Sequence, residues 1–135
     1  MALHLKIVTP EKLIFNEEVS QVNVSTEEGQ LGILPNHANL MAKLEPGELV
    51  IKKNSKIETL AVGDWFLQIS NNQLTIMTDL AVNEENIDEK AVEEAKKRAE
   101  QALTQTLSDE EYAETLANLE KSLAQLRIKR RHRVR

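Results

Sequence analysis

The spacing of apolar residues in this 135-residue chain changes once, near residue 87, and that change limits the folds open to it. Before it, apolar residues recur at every second position, as in the LHLKIV stretch at 3–8, which is typical of strands with one buried face. From residue 87 onward there is no glycine or proline, and the apolar residues recur every three or four positions. We therefore expect a β domain over residues 1–86 and a helical region over residues 87–135.

The first region predicts short strands that pair antiparallel through hairpins, because strands so close in sequence have no room for a parallel crossover. Only 3% of the residues are aromatic, so the core must be aliphatic. The strand-like runs lie at 3–8, 22–24, 48–53, 56–62, 65–70 and 73–78, and the turn-forming pairs between the later ones are Pro46-Gly47, Asn54-Ser55 and Asn71-Asn72. The sequence thus predicts an antiparallel β-sandwich or a flattened barrel.

Two helices are predicted in the second region. The first opens at Asn86 or Asp88 and runs to about Thr106, with a stripe of small residues, Ala91, Ala95, Ala99, Ala102 and Leu103. The second opens on the capping box that starts at Ser108, and carries a heptad stripe of Tyr112, Leu116, Leu119, Leu123 and Leu126.

The short link between the helices permits an antiparallel hairpin with leucines facing alanines, yet nothing in it forbids one continuous helix. The fold class expected is therefore α+β: an N-terminal antiparallel β-sandwich followed by a C-terminal two-helix antiparallel hairpin that is able to extend. Both arrangements of the helices stay open at this point.

Charge is distributed unevenly along the chain. Residues 1–86 carry 6 lysines against 12 acidic residues, and residues 87–126 carry 5 basic against 10 acidic residues. The last nine residues, 127–135, carry six basic residues and no acidic one. An acidic body with few aromatic side chains disfavours nucleic-acid binding, despite the basic end.

The sequence offers little for catalysis. There is no cysteine, the three histidines are scattered at His4, His37 and His132, and no HExxH, GxSxG, GxGxxG or Walker pattern occurs. We expect no enzymatic activity, no metal site and no cofactor. The alternating opening residues predict neither a signal peptide nor a spanning helix.

The segment GQLGILPNHANL, residues 29–40, places large apolar residues among turn formers. Leu31, Ile33 and Leu34 could plug the end of the β domain, or they could be exposed for a partner.

This segment, the preceding Glu27-Glu28, the opening LHLKIVTP and the helical region with its AQLR at 124–127 together resemble the ε subunits of F-type ATP synthases, over the whole chain. The resemblance implies a non-catalytic rotor subunit that couples ion-driven rotation of the c ring to ATP synthesis. It also implies that the C-terminal helices inhibit ATP hydrolysis. The implied location is peripheral, on the cytoplasmic face of a bacterial membrane or the equivalent face of a thylakoid.

The resemblance also implies site residues. Those expected at the c ring and the foot of the γ subunit are Gln30, Leu31, Gly32, Pro35, Asn36 and His37; the family often has glutamate at the position of Gln30. Those expected to contact an acidic helix-turn-helix of the β subunits, when the helices extend along γ and the α and β subunits, are Arg127, Lys129, Arg130, Arg131 and Arg133.

Two departures from the family pattern carry consequences. Some ε subunits bind ATP through the motif Ile-Asp-x-x-Arg-Ala. Ile87, Asp88 and Arg98 match the family's ATP-binding residues, but Ala91 stands at the position of the first arginine, so we expect regulatory ATP binding to be poor or absent.

At AVGDWFLQI the family usually has two glycines where Asp64 and Trp65 stand, which suggests a positive φ or a close backbone approach. We expect the lone Trp65 to pack in the core; the alternative is an altered γ-facing surface.

One alternative to the family interpretation also stays open: a generic adaptor with a β domain and a coiled-coil hairpin.

Overall fold

The computed structural model describes residues 3–133, and only the backbone of residues 131–133. The chain divides into two compact units, Met1–Asn83 and Glu84–Arg135. The first unit consists of strands and the second of helices. Each unit is described by itself.

The first unit is one sheet of ten strands. Its order is β10-β7-β6-β3-β5-β8-β9-β1-β2, with β4 paired to β3. Strands β1 to β9 each place at least one side chain in a single buried cluster, so the sheet folds over itself as a sandwich. The strands are β1 (Leu3–Val8), β2 (Leu13–Val19), β3 (Gln21–Thr26), β4 (Gly29–Ile33), β5 (Leu40–Leu44), β6 (Gly47–Lys53), β7 (Lys56–Val62), β8 (Trp65–Ser70), β9 (Gln73–Thr78) and β10 (Ala81–Asn83).

The core of this unit is aliphatic, as predicted. In β1 the inward residues Leu3, Leu5 and Ile7 are fully buried, and the residues between them are partly exposed. The cluster holds only leucine, isoleucine and valine side chains at its buried centre. Because the side chains of a strand alternate between its faces, this pattern fixes which residues remain outside.

Strand pairing is antiparallel with one exception. β1 and β9 are parallel, with Leu5 opposite Leu74 and Ile7 opposite Ile76. The expectation that all strands pair antiparallel is therefore wrong for this pair. Its two strands are far apart in sequence, so the intervening chain supplies the long connection that a parallel pair needs.

The asparagine turns were predicted correctly. Asn71 and Asn72 join β8 to β9 with φ of 51° and 63°, the positive values that a two-residue type I′ turn requires. Asn54 has a φ of 56° in the turn between β6 and β7. Asparagine tolerates this conformation better than other residues with a side chain.

Four strands were missed by the sequence analysis: β2, β4, β5 and β10. β2 and β10 lie at the two edges of the sheet. β2 carries the exposed pair Glu17 and Glu18, which breaks the alternation and protects the edge against pairing with other chains. β4 occupies Gly29–Ile33, so the first part of the segment at 29–40 is strand and not turn.

The second unit opens with a 3₁₀ turn at Glu84–Asn86, followed by α1 (Glu89–Ala102) and α2 (Asp109–Arg133). Asp88 is the N-cap of α1 and accepts a hydrogen bond from the Ala91 N–H at 3.2 Å. Ser108 and Glu111 form the predicted capping box of α2, with reciprocal bonds of 3.1 and 3.3 Å. The helices pair as an antiparallel hairpin, because residue 130 near the end of α2 contacts the start of α1.

Two expectations for the helices are wrong. α1 ends at Ala102 and not near Thr106. The heptad stripe of α2 is not a continuous buried seam: Leu126 is buried, but Tyr112, Leu116 and Leu123 are 49%, 36% and 43% exposed. Arg130 contacts Glu89 and Glu93 near the start of α1, so the 14 residues of α1 end opposite about residue 117 of α2, and Tyr112 and Leu116 lie beyond that end.

Trp65 departs from the expected core position. Its side chain is 41% exposed, and its φ is 110°, a region that residues with a side chain rarely adopt. The expectation of core packing is therefore wrong. The positive φ is the conformation for which glycine is suited, and glycine is what the family pattern has at this position.

Substitutions at this position test the strain. Trp65→Gly and Trp65→Ala both remove the indole, so the comparison isolates the effect of the remaining side chain. Trp65→Gly is expected to be more stable to unfolding than Trp65→Ala by about 1–3 kcal/mol, the cost of holding a residue with a side chain at this φ. The measurement is chemical denaturation of both variants.

Phe66 supplies the matched control, since it is the next exposed residue of β8 and φ at Phe66 is not positive. There Phe66→Gly should be less stable than Phe66→Ala, the usual order in a strand. The same order at both positions would contradict strain at Trp65.

Candidate interaction surfaces

The segment at 29–40 is half strand and half turn. Gln30, Leu31 and Gly32 lie in β4, opposite Ser25, Val24 and Asn23 of β3. Alternation puts Gln30 and Gly32 on one face and Leu31 on the other, where Leu31 packs against the core. The six residues expected at the c ring thus fall into two groups, 30–32 in β4 and 35–37 in the turn, and they do not share one face.

The two glycines of this segment have different structural environments. Gly29 has a φ of 116°, which glycine adopts without strain. At Gly32 a Cβ atom would lie 3.2 Å from the Asn23 Oδ1, a close approach that leaves little room for any side chain.

The residues after β4 form a tight turn. The His37 N–H donates to the Leu34 carbonyl at 3.2 Å, so Pro35 and Asn36 occupy its central positions. Proline fixes a negative φ at the first, and Asn36 has a φ of 66° at the second, which is the pattern of a type II turn. His37 Nδ1 donates to the Ala38 carbonyl at 2.8 Å, which directs the ring and leaves Nε2 for a second bond.

Four asparagines hold this turn against the β8–β9 hairpin. The Asn36 N–H donates to Asn72 Oδ1, and Asn72 Nδ2 donates back to Asn36 Oδ1 at 3.1 Å. The Asn71 N–H donates to Asn39 Oδ1 at 3.2 Å. The loop at 34–39 is therefore preorganised by side-chain amides from two distant parts of the sequence. Sequence reasoning took Asn71 and Asn72 only as turn formers and missed this contact.

Some apolar residues of this segment pack in the core and others are exposed. Ile33 is fully buried, whereas Leu34 is 53% exposed at the start of the turn. Leu40 and Met41, just after the loop, are also exposed. Exposed leucine and methionine beside a rigid polar turn are typical of a surface that binds another protein.

In the helical unit, two of the five basic residues expected at the β subunits make contacts within the unit itself. Arg130 Nε donates to Glu89 Oε1 at 3.2 Å, and its Nη2 donates to Glu93 Oε2 at 2.5 Å. Lys129 Nζ donates to the Glu84 carbonyl at 3.3 Å. Arg127 is exposed. The side chains of Arg131 and Arg133 lie outside the described part of the chain.

The three residues that match the family's ATP-binding motif lie in different environments. Ile87 is buried, Asp88 caps α1, and Arg98 is exposed. The shallow cavity between α1 and α2 is lined by Glu89, Lys90, Glu93, Glu94, Lys97 and Arg130. Three of these are carboxylates and three are cations, and the one arginine, Arg130, is already paired with Glu89 and Glu93.

The asparagine contact can be tested by removing one amide. Asn72→Gly keeps the positive φ without strain but removes both side-chain bonds to Asn36. Two neutral hydrogen bonds contribute about 1–3 kcal/mol, so amide exchange at Asn36 should speed up at least about fivefold. The measurement is hydrogen exchange followed by NMR.

Asn54→Gly is the matched control, because Asn54 has a similar φ of 56° in a different turn. It should leave exchange at Asn36 unchanged. Equal rates in the Asn72→Gly variant and the unmodified chain would show that the amides do not hold the loop.

Within the part of the chain that the structure describes, no helix combines the length and the apolar character needed to cross a membrane.

Comparison with known proteins identifies the family. Residues 2–84 match the family described as ATP synthase, Delta/Epsilon chain, beta-sandwich domain, and residues 85–130 match its long alpha-helix domain. The ATP synthase epsilon chain of Nitratidesulfovibrio vulgaris strain DP4 is 37% identical over 128 residues, 95% of this chain and 96% of that protein. That of Chloroflexus aggregans is 37% identical over 135 residues, all of this chain and 97% of that protein.

Two solved structures share the fold. A chain of the Euglena gracilis mitochondrial ATP synthase superposes with a TM-score of 0.75 and 23% identity, covering 91% of this chain and 78% of that one. A chain of the Tetrahymena thermophila mitochondrial ATP synthase central stalk and c ring gives a TM-score of 0.63 and 18% identity, covering 93% and 95%. From the family matches and these full-length relatives, the chain belongs to the ATP synthase Delta/Epsilon chain family, as an ε subunit of the F-type enzyme that takes no catalytic part itself.

Proposed function

We propose that this subunit joins γ to the c ring through its β unit, and that its helical unit inhibits ATP hydrolysis by opening from the hairpin into an extended form. In that assembly it sits peripherally on the membrane face that carries the catalytic subunits, the cytoplasmic face in a bacterium. The inhibitory part of this proposal rests on the contact of Arg130 with Glu89 and Glu93. The cationic end already binds carboxylates in the hairpin, so it can bind the carboxylates of a partner only by leaving them.

The coupling role rests on the loop at 34–39. A contact that transmits torque has to be rigid, and this loop is fixed by a type II turn and by the asparagine bonds to the β8–β9 hairpin. It presents the polar side chains of Asn36 and His37 next to the exposed Leu34. Such a surface suits the polar loops of a c ring, and Gln30 contributes a neutral hydrogen-bonding group beside it.

The hairpin is held weakly, which suits a regulatory element. The Arg130 side chain is 49% exposed, and exposed ion pairs are each worth about 0.2–1 kcal/mol. Of the residues of α1 only Ala99 is buried, so the apolar contact between the helices is thin. Two states that differ little in free energy are both populated, and a partner that binds one of them shifts the population.

The exposed part of the α2 stripe fits the same proposal. Tyr112, Leu116 and Leu123 are only partly covered in the hairpin. In the extended form these residues find apolar partners on γ and on the α and β subunits, at about 1.5–3 kcal/mol for each side chain that is fully buried. The basic residues Arg127, Lys129, Arg130, Arg131 and Arg133 then contact the acidic segment of a β subunit.

ATP is not the signal that sets this equilibrium in our proposal. In the cavity between the helices, Glu89, Glu93 and Glu94 balance the charges of Lys90, Lys97 and Arg130, and Arg130 is engaged by two of these carboxylates. A nucleotide would have to displace those contacts without the arginines that the family motif supplies.

The proposed function is tested by ATP hydrolysis in an α3β3γ complex. The full chain is expected to bind and to reduce the rate several-fold, while residues 1–86 bind without inhibiting, because the β unit docks and the helices inhibit. Equal inhibition by both forms would place the inhibition in the β unit and contradict the proposal.

The Arg130 contact predicts how charge changes act. Glu89→Gln with Glu93→Gln removes both carboxylates that hold Arg130, so the hairpin opens more often and inhibition by the full chain increases about two- to fivefold. Glu94→Gln with Glu100→Gln removes the same charge from exposed sites on the same helix and should change little. Equal effects of the two pairs would show that only the net charge matters.

Arg130→Gln separates the two roles of the arginine. If Arg130 served only to close the hairpin, its loss would increase inhibition; if it also contacts a β subunit, its loss decreases inhibition. We expect a decrease, because losing Arg130 would leave a partner's carboxylate unpaired at the proposed interface, which costs more than losing an exposed pair in the hairpin.

A further inference from the structure

Trp65 has a backbone conformation that nothing in its own side chain favours. Its φ of 110° lies beyond the range of 51° to 66° adopted by Asn36, Asn54, Asn71 and Asn72. Asparagine and glycine reach positive φ readily, whereas a bulky aromatic residue there is an outlier. Such outliers persist only where the surroundings determine the conformation, and they concentrate at functional sites.

The surroundings determine it through the backbone. Trp65 opens β8 between Leu44 of β5 and Thr78 of β9. Just before it, the Gly63 N–H donates to the Leu80 carbonyl at 2.9 Å, and a Cβ at Gly63 would lie 2.1 Å from Asp79 Oδ1. The chain at 63–65 is thus confined on both sides. Glycine at position 65 would adopt the same backbone conformation, so the fold itself does not require the indole of Trp65.

The indole instead forms one wall of an open apolar groove of about 340 Å³. Phe66 is 49% exposed beside it, and Phe66, Met77 and Val8 are direct neighbours across β8, β9 and β1. The groove is lined by Val8, Thr9, Pro10, Trp65, Phe66 and Met77. An exposed apolar groove with two aromatic walls is suited to receive one large apolar side chain.

The groove lies at the opposite end of β8 from the loop at 34–39. Leu44 pairs with Trp65 at one end of β5, while Leu40 pairs with Ile69 at the other, next to the Asn39–Asn71 bond. Four residue steps along β8 separate these ends, about 14 Å. If the loop faces the c ring, the groove faces away from the ring and from the lipid, toward the rest of the central stalk.

We propose that Trp65 is a specificity-determining contact residue whose indole completes a groove for one large apolar side chain of the γ subunit. This rests on the proposed central-stalk role. The strained backbone is retained because the indole contributes to binding. The glycine of the family pattern has no side chain and would contribute only backbone contacts. A γ subunit that pairs with this chain therefore presents a bulky apolar residue at this contact.

The test is the affinity and dissociation rate of full-length variants on an immobilised α3β3γ complex. Trp65→Gly and Trp65→Ala should both weaken binding at least tenfold, mainly through faster dissociation, because both remove the anchor. Trp65→Phe keeps an aromatic wall and should stay within about threefold of the unmodified chain. Ile57→Ala removes an apolar residue of β7 that is more exposed than Trp65 and lies outside the groove, and it should have no effect.

The outcomes separate this inference from the function on which it rests. Unchanged binding by Trp65→Gly and Trp65→Ala overturns the inference while the unmodified chain still binds. Weakening by Trp65→Ala alone also overturns it, since the cause would then be backbone strain and not the lost indole. Failure of the unmodified chain to bind contradicts the proposed function itself, and this inference with it.

Discussion

The alternation of aliphatic residues along the strands is the constraint on which the rest of the β unit depends. With few aromatic residues in the sequence, the core is made of leucine, isoleucine and valine side chains that point inward at every second position. A shift of one residue in any strand would turn that set outward, so the register is fixed. Fixed register in turn fixes the surface: it puts the turn at 34–37 beside Asn72, and it puts Trp65 and Phe66 at the other end of β8.

The helical unit, in contrast to the β unit, is held together weakly. Its helices each begin at a well-formed N-terminal cap, at Asp88 and at Ser108, which favours the helical form, but the contact between them is thin. Arg130 ties the two ends together through exposed ion pairs that are individually weak. A rigid unit that docks and a weakly held unit that can rearrange are what the proposed function requires.

Much of this could be predicted from the sequence, and the failures have identifiable causes. Strands β6 to β9, the asparagine turns and the helix caps follow from local spacing and turn chemistry. The edge strand β2 was missed because Glu17 and Glu18 break its alternation, and the parallel pair of β1 with β9 was missed because it depends on contacts remote in sequence. The six residues expected at the c ring were proposed from a family resemblance, which could not reveal that Asn39, Asn71 and Asn72 hold the loop at 34–39. The departure at Trp65 was visible in the sequence, but its positive φ and exposure were not, because both depend on how residues 63–80 pack.

The most direct test of the account is the distance between the two helices inside an inhibited complex. The sequence contains no cysteine, so Lys90→Cys and Glu120→Cys can be labelled selectively for single-molecule energy transfer. In the hairpin these positions are about 20 Å apart, and in one extended helix they would be about 45 Å apart at 1.5 Å per residue. The account predicts the longer distance whenever ATP hydrolysis is inhibited and the shorter one when it is not. Full inhibition at the shorter distance would contradict it.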